Sequence, residues 1–374
     1  MFDSNHYIPI LKWKRAEQKA LAELKTDSKP CMTPLIQLVM PKSKVIKADG
    51  KVVKKSPEEE FEEVLSRFKE NTSTIAETIV ASWGKEAIFI DFSLLYTNTL
   101  KVESSEVILR KSKELGAKFI PVLNISDEEK LKKVICSFAN ESGNGLCLRL
   151  VCSDIVDAKK LTEEIKYFIE LSGLAPKNID LLVDIQDICG NTDKYQLYSS
   201  LSQKTPHLLE WRTFTFASGA FPVDLTGYKI DEENLIPRLD WQNWKGQFDE
   251  KKLLRVPSFA DYTIQHPIYK ESSQFFAPTT SIKYTVENEW VLAKGKKQKF
   301  ELYLFNAKAL VDDDCFLGEH FSQGDKYISE KAKHFEEWQK NPAIKKETGN
   351  SELWIKAGIN HHLEYVVFQI SNLS

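Results

Sequence analysis

The residues best placed to do chemistry in this 374-residue chain are polar side chains that end or interrupt short apolar runs. Lys12 and Lys14 follow YIPIL, Asp91 closes AIFID, and Asn124 follows KFIPVL. Arg149 lies inside LCLRLV, and Asp184 closes IDLLVD with Asp187 just beyond it. Ser218 follows WRTFTFA, and Asp261 stands in VPSFADYTIQHP. Aspartate disfavours strands, so one at the end of a buried strand needs a reason. A catalytic or metal-binding carboxylate is one reason; the cap of the following helix is another. A buried arginine must be paired, and a strand-end carboxylate is a natural partner for Arg149, either within a site or as a structural ion pair. If these groups converge, lysine and arginine would hold phosphate or carboxylate, and the aspartates would serve as general base or metal ligands. Asp91, Asp184 and Asp261 are therefore candidate catalytic residues, and Lys12, Lys14, Glu17 and Arg149 candidate substrate contacts. The plain alternative for LKWKRAEQ is a charged helix start that faces water.

Other motifs are weaker. Asp261 and His266 would make an acid/base pair if their loop folds back, or would simply hold a turn. Ser218-Gly219 lacks the glycine pattern of a nucleophile elbow. His361 and His362 are adjacent, so they point to different faces of either element type; one is expected to work at a site and the other to be exposed. Six cysteines (31, 136, 147, 152, 189 and 315) form no CxxC pair, which reads as reduced cysteine in a cytoplasmic protein and assigns no metal site. GxGxxG and GxxxxGK[ST] are both absent, which removes the usual signature of the open-sheet nucleotide binders and leaves any cofactor unassigned.

The elements that must position these residues alternate. β-rich runs at Tyr7–Leu11, Pro34–Val39, Ala87–Asp91, Lys118–Leu123, Leu146–Val151, Ile179–Asp184, Trp211–Ala217 and Leu253–Val256 are mostly continuous in apolar residues, the pattern of strands buried on both faces. Helix-period segments lie between them, at Arg15–Lys25, Pro57–Val80, Val107–Leu115, Asp127–Ala139, Asp157–Leu171 and Asn191–Gln203. Eight strands joined by helices predict a closed parallel (β/α)8 barrel, with the working face at the strands' C-terminal ends. The pattern changes near Pro257, so residues 1–257 are expected to form the barrel and 258–374 an extension packed on it. There Ser281–Leu292 and Phe300–Leu304 read as a hairpin, Asp325–Gln339 as a helix, and EYVVFQI as strand or helix.

Net charge is −3 and hydrophobic content 42%. Those values fit a globular protein and lend no support to nucleic acid or an anionic membrane as partner. No apolar run is long enough to span a bilayer, and the opening lacks the order of a signal peptide.

YIPILKWKRAEQKAL followed by TPLIQL, then PSFADYTIQHP, APTTSIKYT with EWVLAKG, HFSQGD, and ELWIKAGINHHLEYV stand in that order along the chain. In these pieces and their spacing it resembles the "beta protein" family of bacteria and tailed phages, over nearly its whole length. The resemblance implies importance for Lys12, Lys14 and Glu17, for Asp261 and Tyr262, for Lys283 and Tyr284, for Gly324 and Asp325, and for His362. Ala16 and Ala260 stand where the family often has glycine, and Lys283 where it often has arginine; the last change keeps charge but loses a bidentate fork. The family brings no established activity. Its members resemble accessory proteins of mobile elements, which implies a recognition or effector role in phage defence, through a protein partner, a phage component or nucleic acid. Trp13, Trp241, Trp244 and Trp338 beside lysines would anchor a partner or stack bases, or else fill the core. The alternative from the barrel itself is a hydrolase acting on a phosphodiester or phosphate-containing substrate at the mouth; a barrel without catalysis, serving as scaffold, is a third reading.

Overall fold

The computed structural model describes residues 2–44, 46–48, 51–53, 55–188, 190–269 and 279–373. The repeated βα units close into a ring. In chain order the strands are β1 (Tyr7–Lys12), β2 (Leu35–Gln37), a short antiparallel pair β3 (Ile46–Ala48) and β4 (Lys51–Val53), then β5 (Ile88–Asp91), β6 (Phe119–Asn124), β7 (Leu146–Val151), β8 (Ile179–Asp187), β9 (Thr213–Gly219), β10 (Glu233–Pro237) and β11 (Ser258–Asp261). The barrel runs β1-β11-β9-β8-β7-β6-β5-β2 and closes β2 back onto β1, every pair parallel. The eighth strand is thus Ser258–Asp261 and not the expected Leu253–Val256, and it carries the barrel past residue 257. Cys189 lies outside the described residues; the other five cysteines are free thiols.

The helices on the outside are α1 (Arg15–Ala22), α2 (Pro57–Trp83), α3 (Asn98–Leu115), α4 (Glu129–Ser142), α5 (Cys152–Ile155), α6 (Ala158–Ser172), α7 (Thr192–Ser202) and α8 (Leu239–Glu250). Local sequence sets their ends. Ser56 and Glu59 form a reciprocal capping box ahead of Pro57 and an acidic first turn. α3 stops at Gly116, which takes the left-handed conformation that glycine adopts without penalty. α3 also starts well before the expected Val107, because Thr97 caps the Leu100 amide and the buried stripe begins at Leu100.

Side chains alternate across each strand. Ile8 and Ile10, Leu35, Phe89, Val122 and Cys147 fill the lumen, whereas Tyr7, Leu11, Ile36 and Ile90 pack outward against the helices. Each fully buried aliphatic side chain stabilises by about 1.5–3 kcal/mol.

Beyond β11, the extension differs from expectation. β12 (Thr279–Thr285) and β13 (Glu289–Lys297) form a hairpin whose bend lies at 286–288, inside the run expected to be one strand. β10 adds to the far edge of β13, so a segment from before residue 257 belongs to this sheet. Phe300–Leu304 is not the partner strand; it leads into α9 (Leu302–Val311), where Tyr303, Leu304, Ala307 and Leu310 bury one helical face. α10 (Gln323–Lys340) and α11 (Ser351–Ser371) follow, and EYVVFQI is helical. α11 packs on α1 and on the outer face of β1, the position of the eighth barrel helix, and on β12 from the other side. Fourteen of its residues are buried, so it has two core faces rather than one. Among the described residues no helix is long and apolar enough to cross a membrane.

Candidate functional site

Above the apolar layer of the lumen, the next inward position of several strands is polar. β1 contributes Lys12, β2 Gln37, β5 Asp91, β7 Arg149 and β8 Asp184, with Tyr262 just past β11, and all six are buried. They form a closed plug. The Arg149 guanidinium donates through Nη1 to Asp91 Oδ2 at 2.6 Å and through Nε to Asp184 Oδ2 at 3.0 Å, with Nη2 adding a second bond to the same Asp184 oxygen. Gln37 Nε2 donates to Asp91 Oδ2 at 3.0 Å, and the Tyr262 hydroxyl donates to Asp184 Oδ2. The remaining oxygens, Asp91 Oδ1 and Asp184 Oδ1, each accept the backbone N–H two residues on, from Ser93 and Gln186 at 2.8 Å. All four carboxylate oxygens are therefore occupied. Burial raises the Tyr262 phenol well above its ordinary value, and Asp184 adds to this. Burial opposes the charge on Arg149, but Asp184, Tyr262 and Asp91 outweigh it and hold the guanidinium firmly protonated.

Lys12 closes the plug from above. Its ammonium donates to the carbonyls of His266 and Pro267 at 3.1 Å and sits 4.6 Å over the Tyr262 ring. Burial pulls its pKa down to about 7 against the opposing pull of Asp184 and Glu17. Of the other strand-end residues, Asn124 binds Asp127, and Ser218 is buried in β9.

Asp261 does not join this group. Tyr262 points into the lumen, so its neighbour Asp261 must point outward, and there it meets α11. Asp261 Oδ1 accepts from the Tyr7 hydroxyl and from the Thr263 amide at 3.0 Å, and Oδ2 faces His362 Nε2 at 2.8 Å. His362 Nδ1 contacts Thr285 Oγ1 at 2.8 Å, while His361 reaches Asp325 Oδ2 through Nδ1 and the Thr285 carbonyl through Nε2, both at 2.8 Å. Tyr284 donates to Asp325 Oδ1 at 2.7 Å, and Ser322 donates to Oδ2. The result is a buried clasp running from β1 and β11 through α11 to β12 and α10. Both histidines are fully buried and bonded, so the expectation that one would be exposed is corrected; α11 is covered on both sides. His361 thus faces two acceptors, the Asp325 carboxylate and the Thr285 carbonyl. Burial works to raise the Asp261 carboxyl, but His362, Tyr7 and Arg238 outweigh it and the net shift is downward. Burial lowers the His362 imidazole despite Asp261.

His266 does not pair with Asp261 either. Its Nδ1 meets the Phe221 carbonyl at 3.0 Å, and its Nε2 lies 3.7 Å from Asp187. Trp13, Trp241 and Trp244 are core residues, and Trp338 is half-buried under Lys346. Gln37 and Tyr7 were not singled out from sequence. Gln37 lies inside the apolar run Pro34–Val39, so the strand-end rule that picks Asp91 passes over it; the strand itself ends at Gln37.

Beside the plug opens a cleft of about 1020 Å³. Lys14 reaches it from the β1–α1 turn, Glu17 from the first turn of α1, Lys42 from the segment after β2, Arg67 from α2, His266 from the segment after β11, and Lys283 from β12. Lys14 stands 4.4 Å over the Tyr269 ring. Lys283 donates to the Ile264 carbonyl at 3.0 Å over the Phe221 ring, and burial brings its pKa down to about 8. Glu17 accepts from Gln265 at 2.7 Å, and burial raises its carboxyl. Among the described residues no group of three or more His, Cys, Asp or Glu side chains is placed to hold a metal ion.

These features define a class: a (β/α)8 barrel with a polar-plugged mouth, whose eighth helix is clasped between the barrel and an added sheet. Residues 7–368 match the family described as Beta protein, and the chain belongs to that family. No curated protein matches the sequence.

Proposed function

We propose that this protein is a recognition component, engaging its ligand in the cleft beside the barrel mouth, and that the setting is conflict between phages and bacteria. The setting rests on the family resemblance alone. The binding mode rests on one contrast: Asp91 and Asp184 have every oxygen engaged beneath a buried lysine, while the neighbouring cleft is open and rimmed by cations. General-base chemistry needs a carboxylate within hydrogen-bond reach of a substrate proton. The side chains that reach this cleft from the mouth are Lys14, Lys283, His266 and one carboxylate, Glu17, which Gln265 holds at 2.7 Å. The alternative, a hydrolase of phosphate-containing substrates, requires the plug to open.

Plating efficiency of a phage panel on cells expressing the protein separates the two. Combined Lys42→Glu and Arg67→Glu substitution should abolish protection, whereas Asp91→Asn, which leaves Arg149 bonded to Asp184, should retain it. Protection lost in Asp91→Asn and kept in the charge-reversed protein would support the hydrolase. No protection by the wild-type chain against any phage would remove the proposed setting.

A further inference from the structure

The cleft's lining specifies more than a generic anion. Among the described residues five cationic side chains line it, Lys14, Arg15, Lys42, Arg67 and Lys283, against three carboxylates, Glu17, Asp224 and Glu352. The excess of two positive charges stands out in a chain whose net charge is −3. Glu352 pairs with Lys19 at 2.6 Å and Arg15 at 3.7 Å, Glu17 accepts from Gln265, and Arg67 lies 3.7 Å from Glu63 outside the lining, so Lys14, Lys42 and Lys283 carry the groove's cationic excess. Anion attraction is therefore local to this groove.

The apolar part of the lining is aliphatic where it is exposed. Val223 is 59% and Ile355 39% exposed, with Val39 and Ile75 partly so. The aromatic rings at the groove, Trp13, Phe68 and Phe221, are buried and present little face. Single-stranded nucleic acid is held by cationic grooves together with open aromatic platforms on which bases stack; among the described residues that line the groove, no exposed ring supplies one. One wall is a helical stripe on α2, Arg67, Asn71, Thr74 and Thr78, which runs about 16 Å at 1.5 Å per residue. That length accommodates about five residues of extended chain at roughly 3.3 Å each.

We infer that the groove binds an extended acidic peptide segment of a partner protein, with carboxylates meeting Lys14, Lys42 and Arg67 and aliphatic side chains resting on Val223 and Ile355. This rests on the recognition reading above and names its partner class.

The test is fluorescence anisotropy with three labelled probes of equal length: a peptide alternating Asp or Glu with Leu or Val, the same peptide with Lys in place of each acid, and an oligothymidylate. The acidic peptide should bind, and the lysine peptide and the oligothymidylate should not. Combined Lys42→Glu and Arg67→Glu substitution should weaken the acidic peptide at least about tenfold, and raising salt should weaken it further, because exposed charges are screened beyond about 10 Å at 0.1 M. Val223→Asp should weaken it as well, through the aliphatic contact. Binding of the oligothymidylate but not the acidic peptide overturns the peptide assignment and leaves recognition standing. Acidic-peptide binding that is insensitive to both groove substitutions overturns the site. If none of the probes binds, the peptide inference fails, and the plating assay decides the recognition reading separately.

Discussion

Arg149→Met is the most informative perturbation of the plug. It removes four hydrogen bonds, three to the carboxylates and one to the Tyr262 hydroxyl, and leaves Asp91 and Asp184 buried without their cation. Removing one member of a buried ion pair costs about 3–5 kcal/mol, because the abandoned charge stays out of water. Two carboxylates are stranded here, which puts the expected loss at the upper end. With an unfolding entropy of roughly 2.1 cal/mol/K per residue, a chain of this length should lose about 6 °C in Tm. The measurement is a double-mutant cycle by urea denaturation followed by circular dichroism. Asp184→Asn should destabilise the wild type yet relieve the Arg149→Met variant, giving a coupling energy above about 2 kcal/mol of the kind seen between contacting charged groups. Losses that add to within about 0.5 kcal/mol, or an Arg149→Met cost below about 1 kcal/mol, would refute the idea that the mouth is a closed ionic plug.

Three further outcomes are expected. His6, which contacts Thr33 Oγ1 at 2.9 Å, has its pKa pulled down to about 4 by burial. The unfolded chain takes up that proton first, so His6 contributes stability that is full above about pH 6.5 and lost as pH falls through about 4; His6→Gln should flatten the stability profile across that window, and an unchanged slope would count against it. In the clasp, Asp261→Leu leaves the Tyr7 hydroxyl, the Thr263 amide and the facing His362 nitrogen without their acceptor. It should cost more than about 3 kcal/mol in urea denaturation, while Asp261→Asn, which can still pair after a tautomer change in His362, should cost about 1–2 kcal/mol; a catalytic Asp261 would instead lose activity in the asparagine variant with stability intact. Gly324→Ala would place a methyl 2.2 Å from the Ala357 carbonyl where α10 crosses α11, and thermal melting should show a loss of at least about 1–3 kcal/mol from overpacking.

The sequence by itself determined the repeating architecture. Continuous apolar runs separated by amphipathic helices leave a parallel sheet covered on both faces as the consistent solution, and the barrel closes as that pattern requires. It also determined that Arg149 needs a carboxylate, since burial of an unpaired guanidinium is too costly. What it could not determine was direction and division of labour. One-residue alternation on a strand sends Tyr262 into the lumen and Asp261 outward, so the adjacent residues of one motif serve two different networks. VENEW carries a bend at 286–288 that Glu287 and Asn288, both poor strand formers, do signal; reading through it follows the β-rich flanks on either side. Above all, the His361-His362 pair is buried on two sides, which follows from α11 lying between the barrel and a sheet that gathers β10 from before the eighth strand and β12 and β13 from after it. No local pattern carries that information: the partners Asp261, Thr285 and Asp325 are brought to the helix by long-range packing, and the free energy of desolvating each polar group is set by what the rest of the chain places around it.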